Sequence, residues 1–190
     1  MPAAFDFHAA LQQYASASSD DAMTVSLFLR FLHSHPDVFE RHHAPGHFTA
    51  SAWLVSGDGQ RVLLTHHRKL GRWLQLGGHA DGDTNLARVA LREAEEESGL
   101  FGLQVEPQVF DLDRHRIPAR APEPEHWHYD VRFVVRARAD ESFRVSAESL
   151  ALAWRRIDAL CDDDATDASI RRMSRRWLAE GGPTPRDSAT

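Results

Sequence analysis

The spacing of hydrophobic positions changes several times along the chain, and each change predicts an element. From Phe5 to Leu32 apolar residues recur at helical intervals. "AFDFHAALQQYA" forms one amphipathic segment and "DDAMTVSLFLRFLHSHP" a second, with Asp20 or Asp21 as cap and an end before Pro36. "HFTASAWLVS" shifts to strand-like composition, "GDG" (57–59) supplies a turn, and "RVLLTHH" completes a predicted hairpin. "WLQLGGH" is short and apolar and closes in glycines. "TNLARVALREAEEES" returns to helical spacing, with Gly99 at the C-cap position. "LQVEPQVFDLDRHRI", "WHYDVRFVVRARA" and "LALAWRRI" read as strands, the first two separated by the proline-rich loop "PARAPEPEH". A last helix is expected from about Ala165 to Glu180, and "GGPTPRDSAT" as a disordered tail. Strands flanking one central and one terminal helix define a mixed α/β (α+β) class rather than a regular βαβ series. The expected organisation is a helical extension over 1–45, a main domain over 46–180 that includes the C-terminal helix, and a tail over 181–190.

Composition narrows the function classes only a little. The 190 residues, 42% hydrophobic and 26% charged, suit a globular domain with a real core. No stretch reaches the roughly 18 apolar residues of a membrane span. The N-terminus has no basic segment followed by an apolar block, so neither a signal peptide nor a membrane partner is expected, and the expected location is the cytoplasm. The single cysteine, Cys161, excludes an internal disulfide and a cysteine-rich zinc site. A net charge of −6 argues against coating a long nucleic acid.

The stretch "LREAEEESGL" changes the picture most. On a helix turning about 100° per residue, Glu93, Glu96 and Glu97 fall on the same face as Leu86, Val89 and Ala90, whereas Glu95 and Arg88 point away. Folding alone disfavours this pattern. Like charges four residues apart repel, acids at a helix C-terminus oppose the macrodipole, and inward carboxylates lose hydration. Two readings follow: a solvated face partly neutralised by Arg92, or a site for a hard cation such as Mg²⁺ or Mn²⁺. The preceding "LGGHADGDT" favours the second, because a tight glycine turn there offers backbone oxygen.

At these residues the chain resembles the Nudix hydrolase family, whose box reads G-x5-E-x7-R-E-U-x-E-E-x-G-U, with U a bulky aliphatic residue. Gly78, "HADGD", Thr84, "NLARVAL" and then Arg92 to Leu100 fall into that register, with the small Ala94 at an aliphatic place and Thr84 where the first glutamate is expected. The resemblance implies an α/β/α sandwich with a mixed sheet. It also implies a divalent-metal-dependent hydrolase of a nucleoside diphosphate linked to another moiety, with small-molecule nucleotides or diphosphates as partners. It implies Glu96 and Glu97 as metal ligands, Glu93 as a further ligand or as the base, Arg92 as the group orienting Glu93, and the Gly77 or Gly78 backbone completing the loop. Thr84 suits a helix N-cap, and Asp81 or Asp83 is a candidate replacement for the missing carboxylate.

Weaker candidates lie outside the box. Arg68, Lys69 and Arg72 in "HHRKLGR" either meet substrate phosphates or form a solvated hairpin loop. Arg114 and Arg116 are a second candidate anion contact, and Trp73 either packs in the core or flanks a base, with the core favoured. Glu148 stands where many Nudix proteins carry a distant acid, with Asp140 and Glu141 as neighbours able to serve. His126 and His128 share one strand face and could ligate a metal; without further ligands a satisfied or exposed histidine pair is the favoured reading. Two other functions remain in view: a non-catalytic nucleotide-binding module on the same fold, and an isopentenyl diphosphate isomerase-like activity, which relies on a cysteine near the site. The sequence does not indicate an oligomeric state.

Overall fold

The computed structural model describes residues 5–17, 21–138, 141–147 and 149–181. Two helices, α1 (Phe7–Ala17) and α2 (Ala22–Leu32), precede β1 (Gly46–Val55), β2 (Arg61–His67), β3 (Trp73–Leu74) and β4 (Leu76–His79). Then follow α3 (Leu86–Ser98), β5 (Gln104–Ile117), β6 (His126–Arg136), β7 (Ser149–Arg156), the single turn α4 (Ile157–Leu160) and α5 (Ala168–Ala179). The short α4 is absent from the hydrophobic pattern because one turn is too brief to show a helical period. The expected tail begins at Gly181, and residues beyond it lie outside the described set, as does Asp20. No described helix is long and apolar enough to cross a membrane.

The sheet has seven strands in the order β3-β2-β1-β6-β5, with β4 on β1 and β7 on β2. Every residue of β1 is buried, so both faces of the strand are covered. Its alternate residues Phe48 and Ala50 join α1, α2 and α3 through Leu11, Phe28, Phe31, Leu86, Val89 and Ala90. On the other face Trp53 and Val55 pack with Ile170, Met173 and Trp177 of α5. Helices thus cover both faces of a mixed sheet.

The α5 face changes character along the strands. β1 and β6 run parallel, with Trp53 beside Val134, Ser51 beside Arg132, Thr49 beside Asp130 and His47 beside His128. β5 extends the rows with Asp111 opposite Arg132, Asp113 opposite Asp130 and His115 opposite His128. An apolar row is therefore followed by two ionic rows and then by a row of histidines. The registry slips near Pro107, a residue with no N–H to give the ladder, between Val105 and Val109.

The ionic rows are buried and fully engaged. Arg132 Nε donates to Asp130 at 2.8 Å and its Nη1 to Asp111 at 3.1 Å, with only 3% of the side chain exposed. Asp130 also accepts from the hydroxyls of Thr49 at 3.0 Å and Ser51 at 2.8 Å. Arg172 of α5 donates to Asp111 at 2.7 Å and to Asp113 at 2.8 Å. Opposed Asp113 and Asp130 would repel; Arg132 and Arg172 make the pairing tolerable. Burial pushes the Asp113 carboxyl up, yet its hydrogen bond to His115 and the two guanidiniums outweigh that and hold it well below the usual carboxylate range.

A second latch joins the chain's two helical ends. Arg176 donates to the Tyr14 hydroxyl, to Asp21 and, at 2.7 Å, to the Phe110 carbonyl. Asp21 occupies the predicted N-cap position of α2, but its side chain makes no capping bond and instead accepts from Tyr14 at 2.7 Å.

Replacing Arg132 by Met leaves Asp111 and Asp130 without their buried partner and is expected to cost about 3–5 kcal/mol, read from urea unfolding near neutral pH. Asp113 has a depressed folded pKa, so its stabilisation is complete above the unfolded carboxylate value and is lost as pH falls through the folded one. The gap between wild type and Arg132→Met should accordingly narrow below about pH 4.

Candidate active site

Helix α3 is stopped by Gly99, whose left-handed backbone (φ 67°) lets its N–H return to the Glu95 carbonyl at 2.9 Å. It is started by Asn85, whose side chain accepts from the Arg88 N–H at 3.1 Å. Thr84, expected to suit that role, sits one residue outside and is exposed. Asp83 receives two bonds of 2.8 Å from Arg88 and one from the Asn85 N–H, so its carboxylate is committed to closing the loop.

The buried arc of α3 runs through Leu86, Ala87, Val89, Ala90, Ala94, Glu97 and Ser98. Glu97 is central to it and buried, Glu93 flanks it half-buried, and Glu96 lies at its edge, exposed. The three glutamates share one side of the helix, but the helical wheel did not give their depth. Because the sheet supports the middle of the arc, the edge position opens to water. Ala94, small for an aliphatic position, is fully buried against Ala52, Leu54 and Leu63.

The glycine turn meets this helix end at backbone distance. Glu97 accepts from the Gly77 N–H at 2.8 Å. A Cβ on Gly78 would lie 2.5 Å from a Glu93 carboxylate oxygen, and one on Gly77 would lie 2.7 Å from the Ala50 carbonyl. Only glycine leaves room for the carboxylate there. Arg92 donates to Glu93 at 2.9 Å and to the His79 carbonyl at 3.0 Å, tying helix and turn together. The Glu93 hydrogen bond holds the Arg92 guanidinium above its ordinary pKa, with burial opposing.

Other predicted residues lie elsewhere. Arg68 donates to the carbonyls of Ala147 and Ser149, both at 3.0 Å, and Arg72 to Asp167, the N-cap of α5, at 3.1 Å. Lys69 is exposed on the same turn. These bonds run to the β7 and α5 side of the molecule, not to the glutamate helix. Glu148 and Asp140 lie outside the described residues, and Glu141 is held by Arg61 at 2.7 Å. Arg114 stacks on Trp127 and Arg116 pairs with Glu125, so both are engaged locally. Trp73 is half-buried and packs against the α5 core cluster, in line with the favoured reading.

Sequence reasoning missed a histidine assembly. His126 and His128 are joined by His47 of β1, with its ring 5.0 Å from His126 and 4.8 Å from His128. His79 lies 5.2 Å from His128 and His115 5.4 Å from it. Burial, reinforced by the neighbouring rings, pulls His47 down to about 3 and His128 to about 2. The signal was present in the sequence as "GH" opening one strand and "HWH" opening another, but only parallel pairing of those strands brings them together.

These features coincide with a known fold. The NUDIX domain profile matches residues 45–178. Among solved structures, the Ap4A hydrolase of C. elegans aligns at 16% identity with a TM-score of 0.55, over 70% of this chain and 96% of that one. The dihydroneopterin triphosphate pyrophosphohydrolase of E. coli aligns at 18% identity and TM-score 0.55, over 70% and 95%. The M. smegmatis Nudix hydrolase RenU does so at 22% and 0.54, over 74% and 90%. No curated protein matches the chain. The fold is thus that of Nudix hydrolases, and the chain belongs to the Nudix family.

The Gly78→Ala variant is expected to fold but to push the Glu93 carboxylate off the turn. Hydrolase activity should fall at least about tenfold with little change in melting temperature. A variant as active as wild type would show that this close approach is dispensable.

Proposed function

We propose that the protein hydrolyses a phosphoanhydride bond in a nucleoside diphosphate linked to another moiety, with Mg²⁺ or Mn²⁺ as cofactor. The observation that supports this most is the junction of α3 with the glycine turn: Glu93 and Glu97 lie against the Gly78 and Gly77 backbone, with Arg92 bonded to Glu93. The donor set fits a hard divalent cation, since it consists of carboxylate and carbonyl oxygens, and the space at Gly78 that a side chain would fill holds a carboxylate instead. Glu96 and Glu97 would hold such an ion, with Glu93 and the Gly77 carbonyl as further donors. Bound there, the cation supplies charge neutralisation at phosphate oxygens and a more acidic water.

The chain's own groups do the remaining work. Arg92 holds Glu93 against the turn through a charged hydrogen bond of 2.9 Å. Glu93 serves as a further ligand or takes a proton from the attacking water. Thr84 supplies no carboxylate, and Asp83 is engaged with Arg88, so the proposed chemistry rests on the three glutamates of α3. Arg68, Lys69 and Arg72 retain at most an outer role toward substrate phosphates. In this reading residues 46–180 form the catalytic domain and 1–45 an extension to it. The isomerase alternative finds no support at Cys161, which is buried at the end of α4 with its thiol against the Ile157 carbonyl at 3.5 Å.

Purified protein with Mg²⁺ or Mn²⁺ is expected to cleave at least one member of a panel of nucleotide sugars, dinucleoside polyphosphates and nucleoside triphosphates, with products identified by mass. Glu97→Gln should reduce that turnover by about 10²-fold or more. Nucleotide binding without turnover under either metal would instead identify a binding module, and an undiminished Glu97→Gln would refute the assigned roles.

A further inference from the structure

Among the described residues outside the glutamate junction, the histidine assembly on the α5 face is where at least three side chains able to ligate a metal converge. It has two independent features. Three rings, those of His47, His126 and His128, each offer a nitrogen within 4.8 Å of the others. And His47, only 2% exposed, has both ring nitrogens buried with no hydrogen-bond partner. The His43 backbone carbonyl faces His47 and opposes its drop in pKa only weakly; no hydrogen bond forms between them. An imidazole buried without a partner is costly unless something accepts its lone pair.

We propose that His47, His126 and His128 form a binding site for a transition-metal ion of the zinc class, separate from the glutamate helix. The distances agree with this. A tetrahedral ion with Zn–N bonds of 2.0–2.1 Å sets two ligand nitrogens about 3.3 Å apart. The Nε2 atoms of His126 and His128 already stand 3.3 Å from each other. In His126 the other nitrogen, Nδ1, donates to the Pro124 carbonyl at 2.8 Å, so Nε2 carries the lone pair, which without a metal accepts from the His128 Nε2–H. The Nδ1 bond is the outer-shell bond metal-binding histidines use to fix tautomer and ring orientation. His47 closes the set, because parallel registry places it beside His128 and its ring offers a nitrogen within 4.8 Å of the other two.

The ligand chemistry selects the ion. The three ligands are all imidazoles, which suit zinc, nickel, copper or iron and not the oxygen-seeking magnesium. Three histidines leave a fourth position, bordered by His79, whose ring lies 5.1 Å from His47. His79 is also the residue whose carbonyl Arg92 holds, so an ion among the histidines would stiffen the turn that carries Gly78. The cluster stands between two linked segments, since Arg41 pairs with Glu123 at 2.6 Å across the loops before β1 and β6.

The test uses the full chain carrying Glu97→Gln, stripped with chelator and titrated with Co²⁺ in excess Mg²⁺, so that the oxygen site is saturated or disabled. One equivalent of Co²⁺ should bind with visible d–d absorption of a low-coordinate site. Zn²⁺ should displace it and raise the melting temperature by several degrees. His47→Asn and His128→Asn should each weaken binding at least about tenfold while leaving the far-UV circular dichroism unchanged. Should those variants fail to fold, the ring ¹⁵N shifts of the native chain decide: three imidazoles move on adding Zn²⁺, or the proposal is wrong. Absence of binding at micromolar metal, or undiminished binding in a folded His47→Asn/His128→Asn double variant, overturns it. Neither outcome bears on phosphoanhydride hydrolysis, which is measured separately with Mg²⁺ or Mn²⁺.

Discussion

The parallel pairing of β1 with β6 is the constraint on which the rest of the molecule depends. Both strands are covered on both faces, so each residue in the pairing must find its partners inside the protein. One face meets this demand with hydrocarbon from α1, α2 and α3. The other meets it in rows: apolar at Trp53 and Val134, ionic at Arg132, Asp130 and Asp111, and imidazole at His47 and His128. A slip of one residue would turn Arg132 and Asp130 into the hydrocarbon face and Phe133 into the ionic one, so the polar rows specify the register as firmly as the core does. The same register fixes β4 on β1, with Gly77 beside Ser51 and Gly78 beside Ala50, and so sets where the glycine turn meets α3.

Much of this was legible in the chain. The change from helical to strand spacing and back located α1, α2, α3, β1, β2, β6 and α5, because each is long enough to show a period. Gly99 was readable as a helix stop since it must adopt a left-handed backbone that a side chain resists. The grouping of Glu93, Glu96 and Glu97 followed from helical geometry, and their register with Gly78 from a motif. What local spacing could not give was depth and long-range partnership. Glu96 is exposed and Glu97 buried on the same side of one helix, and that difference is set by where the sheet lies. Arg68 and Arg72 read as free cations in a basic run, but their partners, Ser149 and Asp167, are remote in sequence. His47 could not be joined to His126 and His128 before the strand order was known.

The two clusters of metal-ligating side chains are divided by chemistry as well as by position. Oxygen donors collect where α3 meets β4, and nitrogen donors collect on the opposite face of the sheet where β1 and β6 begin. The β4 end bridges them, where Gly77, Gly78 and His79 are consecutive. If both proposed sites are filled, segregation of this kind would keep a softer ion from displacing a hard one, since neither donor set suits the other's preference. Thr84 and Asp83 fit the same picture. The loop between β4 and α3 is held by local hydrogen bonds, by the Asp83–Arg88 ion pair and by the Gly82 N–H, which donates to the Phe39 carbonyl at 3.0 Å.

The Arg176 latch has a mechanical consequence. Arg176 near the end of α5 grips Tyr14 in α1 and Asp21 at the start of α2, while its third bond reaches the backbone of β5. Force applied between the first and last helices would load these short polar contacts before it reached the long parallel ladder of β1 and β6. The two ends of the fold would then part by breaking a few bonds in succession, with the strands that carry the histidines and support the glutamate helix still paired.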